Sequence, residues 1–204
     1  MTDKNTGAPR KKRDREASRR RILQAGLEVF AELGYDGATT RMIAERAGLN
    51  ESLLHRYFTS KEGLLLEVSR LSMEVMRSQP PHDPQPTPQD EIYEFMNSKM
   101  EYEERNRNFV RVIVSRGLAD PAFRRKLTSG MKAPVDNYFM ERLKDFKARG
   151  RIRKSVDIER LFFCVLSFSF SVGVVDRLMI GKSLEECRQQ YQMFAKSITE
   201  GICQ

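Results

Sequence analysis

The residues whose types and spacing could do chemistry are concentrated in one stretch, TTRMIAERAGLNESLLHRYFTSK, which begins at Thr39. Near its end, Leu54 and Phe58 are four residues apart and share one face of a short helix. The polar side chains left on the other faces are those of Glu51, Ser52, His55 and Arg56. A short helix with an apolar inner face and donors and acceptors outside fits a helix-turn-helix that contacts bases and phosphates in a DNA groove.

Local signals position this helix. Thr39 is a good N-cap for a preceding helix whose inner face is formed by Ile43 and Ala47. Gly48 lies where a helix ends in the left-handed conformation, and Asn50 is a good N-cap for the second helix. Helices this short are not stable alone, so we expect both to be held against neighbouring helices.

The run from Ser18 to Leu66 resembles the N-terminal domain of the TetR family of bacterial transcriptional regulators. The resemblance is carried by ILQAGLEVFAELGYDGATTRMIAERAGL and the closing YFTSKEGLLL. It implies an all-α fold, with an N-terminal three-helix helix-turn-helix DNA-binding domain and a C-terminal helical ligand-binding and dimerisation domain. It also implies a homodimer on a palindromic, double-stranded DNA operator.

The resemblance carries roles to individual positions. Arg41 matches a position that can reach a base edge, where arginine pairs with guanine O6 and N7; alternatively it is a solvated arginine. Glu51 departs from the basic or amide residue common at its position. It could accept a hydrogen bond from cytosine, or it could complement the positive end of the helix. The remaining expected DNA contacts are Thr39, Thr40, Ser52, Leu53, His55, Arg56, Tyr57 and Lys61.

Lys61 supports this interpretation separately. It lies in the first turn of a helix, where the helix dipole disfavours a cation. A phosphate bound there would contact both the backbone N–H groups and the ammonium group. We therefore expect Lys61→Ala to weaken binding to all DNA sequences equally and to reduce its salt dependence.

Composition indicates a soluble intracellular protein. The chain has 204 residues, 40% of them hydrophobic, and a net charge of +8 that suits a polyanionic partner. Three separate cysteines predict reduced thiols in the cytosol, and no signal peptide is evident. The apolar run 161–175 is too short to cross a bilayer, so we expect no membrane contact and a cytoplasmic, nucleoid-associated location. No cofactor, metal site or enzyme motif is evident, which argues against catalysis.

The pattern predicts five segments along the chain. Residues 1–13 are a flexible basic arm, which could serve as a solubilising tail or could touch DNA. Residues 14–62 form the DNA-binding domain, and residues 63–78 form a connecting helix that starts with a Thr59–Glu62 capping box. Residues 79–88 are a proline-rich linker. Residues 89–204 form the ligand-binding and dimerisation domain.

The segment 157–180 is ambiguous, because VLSFSFSVGVV alternates as a strand does. Its length and the capped helical pattern that follows favour a helix. In the family the last two helices form a four-helix bundle between subunits, here about 157–180 and 183–202. The expected interface residues are Phe162, Val165, Ser169, Val172, Cys187, Tyr191, Phe194 and Ile198.

The middle helices of the family usually enclose a small-molecule pocket, although apolar residues at these positions can equally be ordinary core. The candidate lining residues are Phe95, Met96, Met100, Phe109, Tyr138, Phe139, Phe163 and Phe168. The leading hypothesis is a repressor released by a small apolar or amphipathic effector. The alternative is a DNA-binding protein of the same fold whose C-terminal domain binds a protein. A closed apolar cavity would favour the first, and a filled core with an exposed apolar patch the second.

Overall fold

The structure is a computed structural model of the chain, and it describes residues 8–78, 82–129 and 138–203. The described residues form helices, and the one pairing of extended backbone among them is an isolated bridge between Ile152 and Cys203. The helices are α1 (Ala8–Gly37), α2 (Thr40–Arg46), α3 (Glu51–Tyr57), α4 (Lys61–Ser78), α5 (Pro88–Arg105), α6 (Arg107–Ala119), α7 (Pro121–Ser129), α8 (Tyr138–Ala148), α9 (Ile158–Phe170), a π-helix (Ser171–Ile180) and α10 (Leu184–Ile202). The all-α prediction is confirmed.

The chain divides into two compact units that do not follow the sequence order. The first unit comprises the described residues of Met1–Ser72 and Asn108–Met131, and the second unit those of Met73–Arg107 and Lys132–Gln204. The sequence prediction placed α6 and α7 in the C-terminal domain, whereas the structure groups most of both with the N-terminal helices. Residues 79–81 of the predicted linker lie outside the described residues.

Helix α1 begins earlier than predicted. Its backbone is helical from Ala8, so the segment 8–13 of the expected flexible arm continues the helix. Arginine and lysine are good helix formers, which explains the extension. Near the other end, Gly34 has φ 71° and interrupts the helix, a conformation that glycine adopts without strain. Ile22 and Phe30 have no exposed surface and anchor α1 in the core of the first unit.

Side-chain caps hold the starts of the helices, and the cap of α4 differs from the sequence prediction. Thr87 caps α5 with Pro88 in its first turn, and Ser183 with Glu186 forms the capping box of α10. The start of α4 differs from the prediction, because the Ser60 hydroxyl accepts the Gly63 N–H at 3.0 Å. Ser60 therefore occupies the capping position assigned to Thr59.

The second unit packs around stacked aromatic rings. Phe95 of α5 and Phe139 of α8 lie parallel with their ring centroids 4.0 Å apart, and Phe162 of α9 lies 6.1 Å from Phe139. Met96 and Met100 are completely buried beside them. The core of this unit is therefore formed by α5, α8, α9 and α10.

Residues 158–180 form one continuous helix, which confirms the helical prediction; its last ten residues are a π-helix. With 23 residues, it is long and apolar enough to cross a membrane, contrary to the expectation from the shorter run 161–175. One face is nevertheless packed in the second unit, where Val165 and Ser169 have no exposed surface. Buried core helices of soluble proteins share this composition.

Candidate nucleic-acid interface

The turn between α2 and α3 is held by an arginine from α1. The Arg21 guanidinium donates to Ala47 O at 2.6 Å and to Gly48 O at 3.3 Å. Gly48 has φ 63°, and a Cβ atom there would lie 2.8 Å from the Arg21 guanidinium. The backbone conformation therefore favours glycine, and any larger residue would also have to displace the end of the Arg21 side chain.

Helix α3 is fixed by one cap and two buried side chains. The Asn50 side chain accepts the Ser52 N–H at 2.8 Å, as the sequence predicted. Leu54 is completely buried, and Phe58 is 4% exposed. The opposite face is open: Ser52, His55 and Arg56 are exposed, and Leu53 and Tyr57 are half-buried. This arrangement presents a polar helix surface with its first turn accessible.

Glu51 has a role that the sequence did not suggest. The Thr40 hydroxyl donates to Glu51 Oε1 at 2.6 Å, and His55 Nε2 lies 3.7 Å from the same oxygen. The carboxylate therefore links the start of α2 to the first turn of α3. This contact favours a positioning role for Glu51 over direct reading of cytosine.

Thr39 and Arg41 lie at the exposed start of α2. The Thr39 hydroxyl accepts the Met42 N–H at 3.1 Å and caps the helix. Arg41 is 78% exposed and pairs with Glu45 at 2.9 Å. A surface pair of this kind is weak, so the guanidinium can exchange Glu45 for an acceptor on DNA.

Lys61 is engaged within the protein. Its ammonium group donates to Tyr35 O at 2.8 Å and to Ala38 O at 3.0 Å, and it lies 4.3 Å from the centre of the Tyr35 ring. A phosphate was expected here because a cation at the start of α4 needs a compensating group. These two carbonyl groups already compensate it. A phosphate contact by Lys61 would have to share or replace these hydrogen bonds.

Two arginines of α1, from the cluster of basic residues near the start of the chain, support the interface, although they were not among the expected DNA contacts. Arg19 pairs with Glu67 at 2.7 Å and lies over the Phe58 ring at 5.5 Å. Arg15, one turn earlier, lies 5.8 Å from the centre of the Tyr57 ring. The four-residue spacing of these arginines was the one available signal, since it places them on the same side of a helix.

Helices α6 and α7 are tied to the same unit through two residues. Arg116 lies 4.5 Å from the centre of the Tyr35 ring, the ring that Lys61 also contacts. Glu62, next to Lys61, pairs with Lys126 of α7 at 2.6 Å. Because Arg116 and Lys61 contact the same Tyr35 ring, a displacement of α6 would act directly on the start of α4. Burial raises the pKa of the Tyr35 phenol above its usual value.

The structure corrects most of the predicted dimer interface. Six of the eight residues face the core of their own subunit, so they cannot meet a second copy without a rearrangement. They are Phe162, Val165, Ser169, Val172, Cys187 and Tyr191, all at most 2% exposed. Tyr191 even donates its hydroxyl to Ser169 O at 3.0 Å. Phe194 and Ile198 are half-buried.

The helix formed by residues 158–180 also has an exposed face. That face is apolar, and it lies beside the predicted interface residues. Phe163 is 47% exposed, Phe170 46%, Val175 36% and Met179 68%. Ser167 and Ser171 lie exposed among them. We call these six residues the outer face of α9 and the π-helix.

The candidate pocket residues do not form one group. Phe163 lies exposed on the outer face, and Phe109 belongs to the first unit, whereas the other candidates belong to the second. Phe168 stacks on Phe194 with centroids 4.0 Å apart. Phe95, Met96, Met100, Tyr138 and Phe139 do come together: Phe95 and Phe139 stack directly on each other in the core, and Tyr138 lies half-buried at its edge.

Comparison with known proteins agrees with the geometry. The family model described as "Bacterial regulatory proteins, tetR family" matches residues 22–68. The chain is similar to the HTH-type transcriptional repressor AcnR of Corynebacterium glutamicum, with 31% identity over 172 residues that cover 82% of this chain and 85% of that protein. The AcnR of Corynebacterium efficiens is 29% identical over 183 residues, covering 89% and 92% of the two chains.

Solved structures share the fold. A TetR-family transcriptional regulator from Mesorhizobium loti matches with a TM-score of 0.71 and 16% identity, covering 93% of this chain and 98% of that one. A TetR-family transcriptional regulator from Rhodococcus matches with a TM-score of 0.70 and 18% identity, covering 90% and 99%. At this identity the likeness concerns architecture alone. Together with the extent of the sequence similarity to AcnR, it shows that the chain belongs to the TetR family of bacterial transcriptional regulators, which are not enzymes.

Proposed function

We propose that this protein is a transcriptional repressor that binds a palindromic operator as a homodimer in the cytoplasm, in association with the nucleoid. The observation that carries this proposal is the exposed polar face of α3, where Ser52 and Arg56 are accessible while Leu54 and Phe58 hold the helix from behind. A helix supported in this way can enter a major groove with its first turn against the bases. The AcnR proteins of both corynebacteria are named repressors, which supports the direction of regulation.

A second copy of the chain is the occupant that best fits the outer face of α9 and the π-helix. Four large apolar side chains are exposed there in a row, with small serines between them that allow a close approach. A single short recognition helix binds DNA weakly, so two copies are needed for a specific operator. The same apolar face could bind a different protein, but a symmetric partner also supplies the second recognition helix.

The stacked core and the exposed apolar face are the features expected of a protein-binding domain, but the second subunit accounts for the exposed face. Regulation would come from a small apolar or amphipathic effector bound in the second unit. Helix α5 belongs to that unit, and the chain passes from it through Asn106 directly into α6, most of which belongs to the first unit. A shift of α6 would reach α4 through the contacts of Arg116 and Glu62. An effector that favours one arrangement would lower operator affinity by its differential affinity for the two states.

Selection of bound sequences from a random DNA pool tests this proposal. The wild-type protein should enrich sequences with a dyad, and native mass spectrometry should find two subunits on each DNA. Ser52→Glu places a negative charge on the exposed face of α3 and should abolish enrichment. Ser115→Glu, the same change at an exposed position of α6, is the matched control and should enrich like wild type. Enrichment without a dyad, or equal enrichment by both variants, would reject the proposal.

A further inference from the structure

Four polar side chains from three segments of the second unit form a buried cluster. They are His82 from the proline-rich segment, Glu91 from α5, and Tyr138 and Arg142 from α8. Glu91 is completely buried, and the His82 side chain is 8% exposed. The His82 and Tyr138 rings meet edge to face with centroids 5.9 Å apart, and the Arg142 guanidinium lies 4.9 Å over the Tyr138 ring. Buried polar groups in native proteins nearly always have hydrogen-bond partners, so the partners of each group in this cluster matter.

The charged members of the cluster satisfy each other. Glu91 Oε1 accepts from Arg142 at 2.8 Å, and Oε2 accepts from the Gln85 N–H at 2.9 Å. Arg142 also donates to His82 O at 3.2 Å. The carboxylate and the guanidinium are therefore paired, and they form a neutral support for the two remaining groups.

Two buried atoms in this cluster have no hydrogen-bond partner: His82 Nε2 and Tyr138 Oη. Leaving a buried polar atom unsatisfied costs about 1–3 kcal/mol. Native proteins tolerate such atoms mainly where water or a ligand completes them. Two of them on adjacent rings could be completed by one shared polar group.

The protonation of His82 determines what the occupant must offer. Its Nδ1 lies 2.8 Å from Asp83 O and 3.3 Å from the Arg142 guanidinium. The shorter contact is to an oxygen that can only accept, so it places the proton on Nδ1. In the neutral ring Nε2 is then an acceptor, and the 3.7 Å that separates it from Glu91 Oε1 is too long for a hydrogen bond.

Tyr138 offers the complementary group. Burial, reinforced by the negative charge of Glu91, raises the pKa of its phenol above the usual value, so the hydroxyl stays protonated and can donate. An occupant must accept from Tyr138 and donate to His82. A single hydroxyl group does both, whereas a carboxylate has no proton to donate and an ammonium group has no lone pair to accept.

We propose that this cluster binds the hydroxyl group of a small uncharged alcohol, through Tyr138 Oη as donor and His82 Nε2 as acceptor. The Phe95 ring, 6.5 Å from Tyr138, offers apolar contact to the rest of the molecule. The site deepens the proposed function, since it identifies what binds the polar end of the effector. Binding at the site does not depend on the proposed function; only a regulatory role for that binding rests on it.

Three probes with one ring and different polar groups test the chemistry: benzyl alcohol, benzyl methyl ether and benzoate. Benzyl alcohol should raise the melting temperature of the wild-type protein, and the ether and benzoate should raise it less. The shift should disappear in Tyr138→Phe. Tyr93→Phe removes a hydroxyl from a half-buried tyrosine elsewhere on α5 and should respond like wild type.

The stability of the unliganded variant is a second test. If Tyr138 Oη has no partner, Tyr138→Phe should keep or raise the melting temperature without any probe. A clear decrease would show a structural hydrogen bond and would overturn the proposal.

Nitrogen NMR of the imidazoles gives a readout that does not depend on variants of Tyr138. The chain has two histidines, His55 and His82, so His55→Asn assigns the signals. Benzyl alcohol should move the His82 Nε2 resonance toward that of a hydrogen-bonded acceptor and leave His55 unchanged. No response of His82 would mean an ordered water only, and the same response to all three probes would mean binding that does not depend on the hydroxyl group; either result would overturn the proposal. If His82 responds but operator affinity does not change, the site stands and its regulatory role fails.

Discussion

Two exposed helix faces in this protein have opposite chemistry. The outer side of α3 presents serine, histidine and arginine, whereas the outer face of α9 and the π-helix presents phenylalanine, valine and methionine. A polar face gains little from covering by protein but offers hydrogen bonds to base edges and phosphates. An apolar face of this size gains free energy when it is removed from water. This contrast supports the proposal that the first face binds DNA and the other face binds a second subunit.

The two units also differ in where they place charge. In the first unit the described ion pairs are exposed, such as Arg41 with Glu45, or half-buried, such as Arg116 with Asp120. In the second unit Lys99 pairs with Glu103 with both side chains less than 10% exposed, and Glu91 is completely buried. Surface pairs contribute little to stability, but a buried charge that loses its partner is strongly destabilising. Substitutions that break an ion pair should therefore cost more stability in the second unit than in the first.

Lys99→Met should have the largest effect on stability. It leaves the Glu103 carboxylate buried without its cation and should lower the free energy of unfolding by about 3–5 kcal/mol. Burial raises the pKa of Glu103, so the folded state binds the carboxyl proton more tightly than the unfolded state does. The stability gained from the protonated carboxyl is therefore present in acid and is lost as pH rises above the ordinary glutamate range. Denaturant unfolding should show the loss at neutral pH and its reduction in acid. The matched control, Lys144→Met, removes an exposed cation and should change little; equal losses would contradict the contrast.

Phe170→Glu should break the dimer. It places a charge in the middle of the outer face, and the protein should sediment as a monomer. Loss of the second recognition helix should lower operator affinity at least about 100-fold, or about 2.7 kcal/mol. Leu118→Glu is the control: Leu118 is 71% exposed on α6, and its replacement should leave the dimer intact. A dimeric Phe170→Glu protein would assign the interface elsewhere.

Arg41→Ala should act on DNA recognition without affecting the fold. If the guanidinium leaves Glu45 for a guanine, the variant should lose about 1–3 kcal/mol on the preferred site and discriminate less at that base pair. Titrations on the selected operator and on single-base variants measure both quantities. A uniform loss on all sequences would instead assign Arg41 to phosphate.

Glu51→Ala should have the smallest effect, and it distinguishes two roles for the carboxylate. If Glu51 joins α2 to α3 through Thr40, the first unit should lose about 0.5–1.5 kcal/mol of stability and keep its base preference. Thr40→Val should reproduce that loss. A changed preference at one cytosine position with unchanged stability would show that Glu51 contacts a base.

Local signals in the sequence were sufficient where a residue acts on its neighbours. Thr39, Asn50 and Ser183 cap helices because each bonds to an N–H two or three residues away, and Gly34 and Gly48 adopt positive φ in adjacent turns. Longer-range contacts left no such trace. Arg21 bonds to a turn 26 residues away, and Arg142 pairs with Glu91 across 51 residues.

The error at α9 has a specific cause. This helix is apolar nearly all round, so its pattern does not tell which face is buried. The four predicted residues on this helix, Phe162, Val165, Ser169 and Val172, do share one face, but that face is the buried one. The predicted face, with Phe162 and Val165, is therefore the inner one, and the residues next to them point outward.

Directed cleavage of DNA from α3 tests the central proposal most directly. Ser52→Cys, made in a background with Cys164 and Cys203 replaced by serine, can carry an iron chelate that cuts nearby DNA strands. Two dimer-related recognition helices predict two cleavage centres on the selected operator, symmetric about its dyad and about one helical turn of 34–36 Å, or a multiple of it, apart. Ser115→Cys in the same background should cut neither centre. A single cleavage centre, or none from α3, would contradict the account.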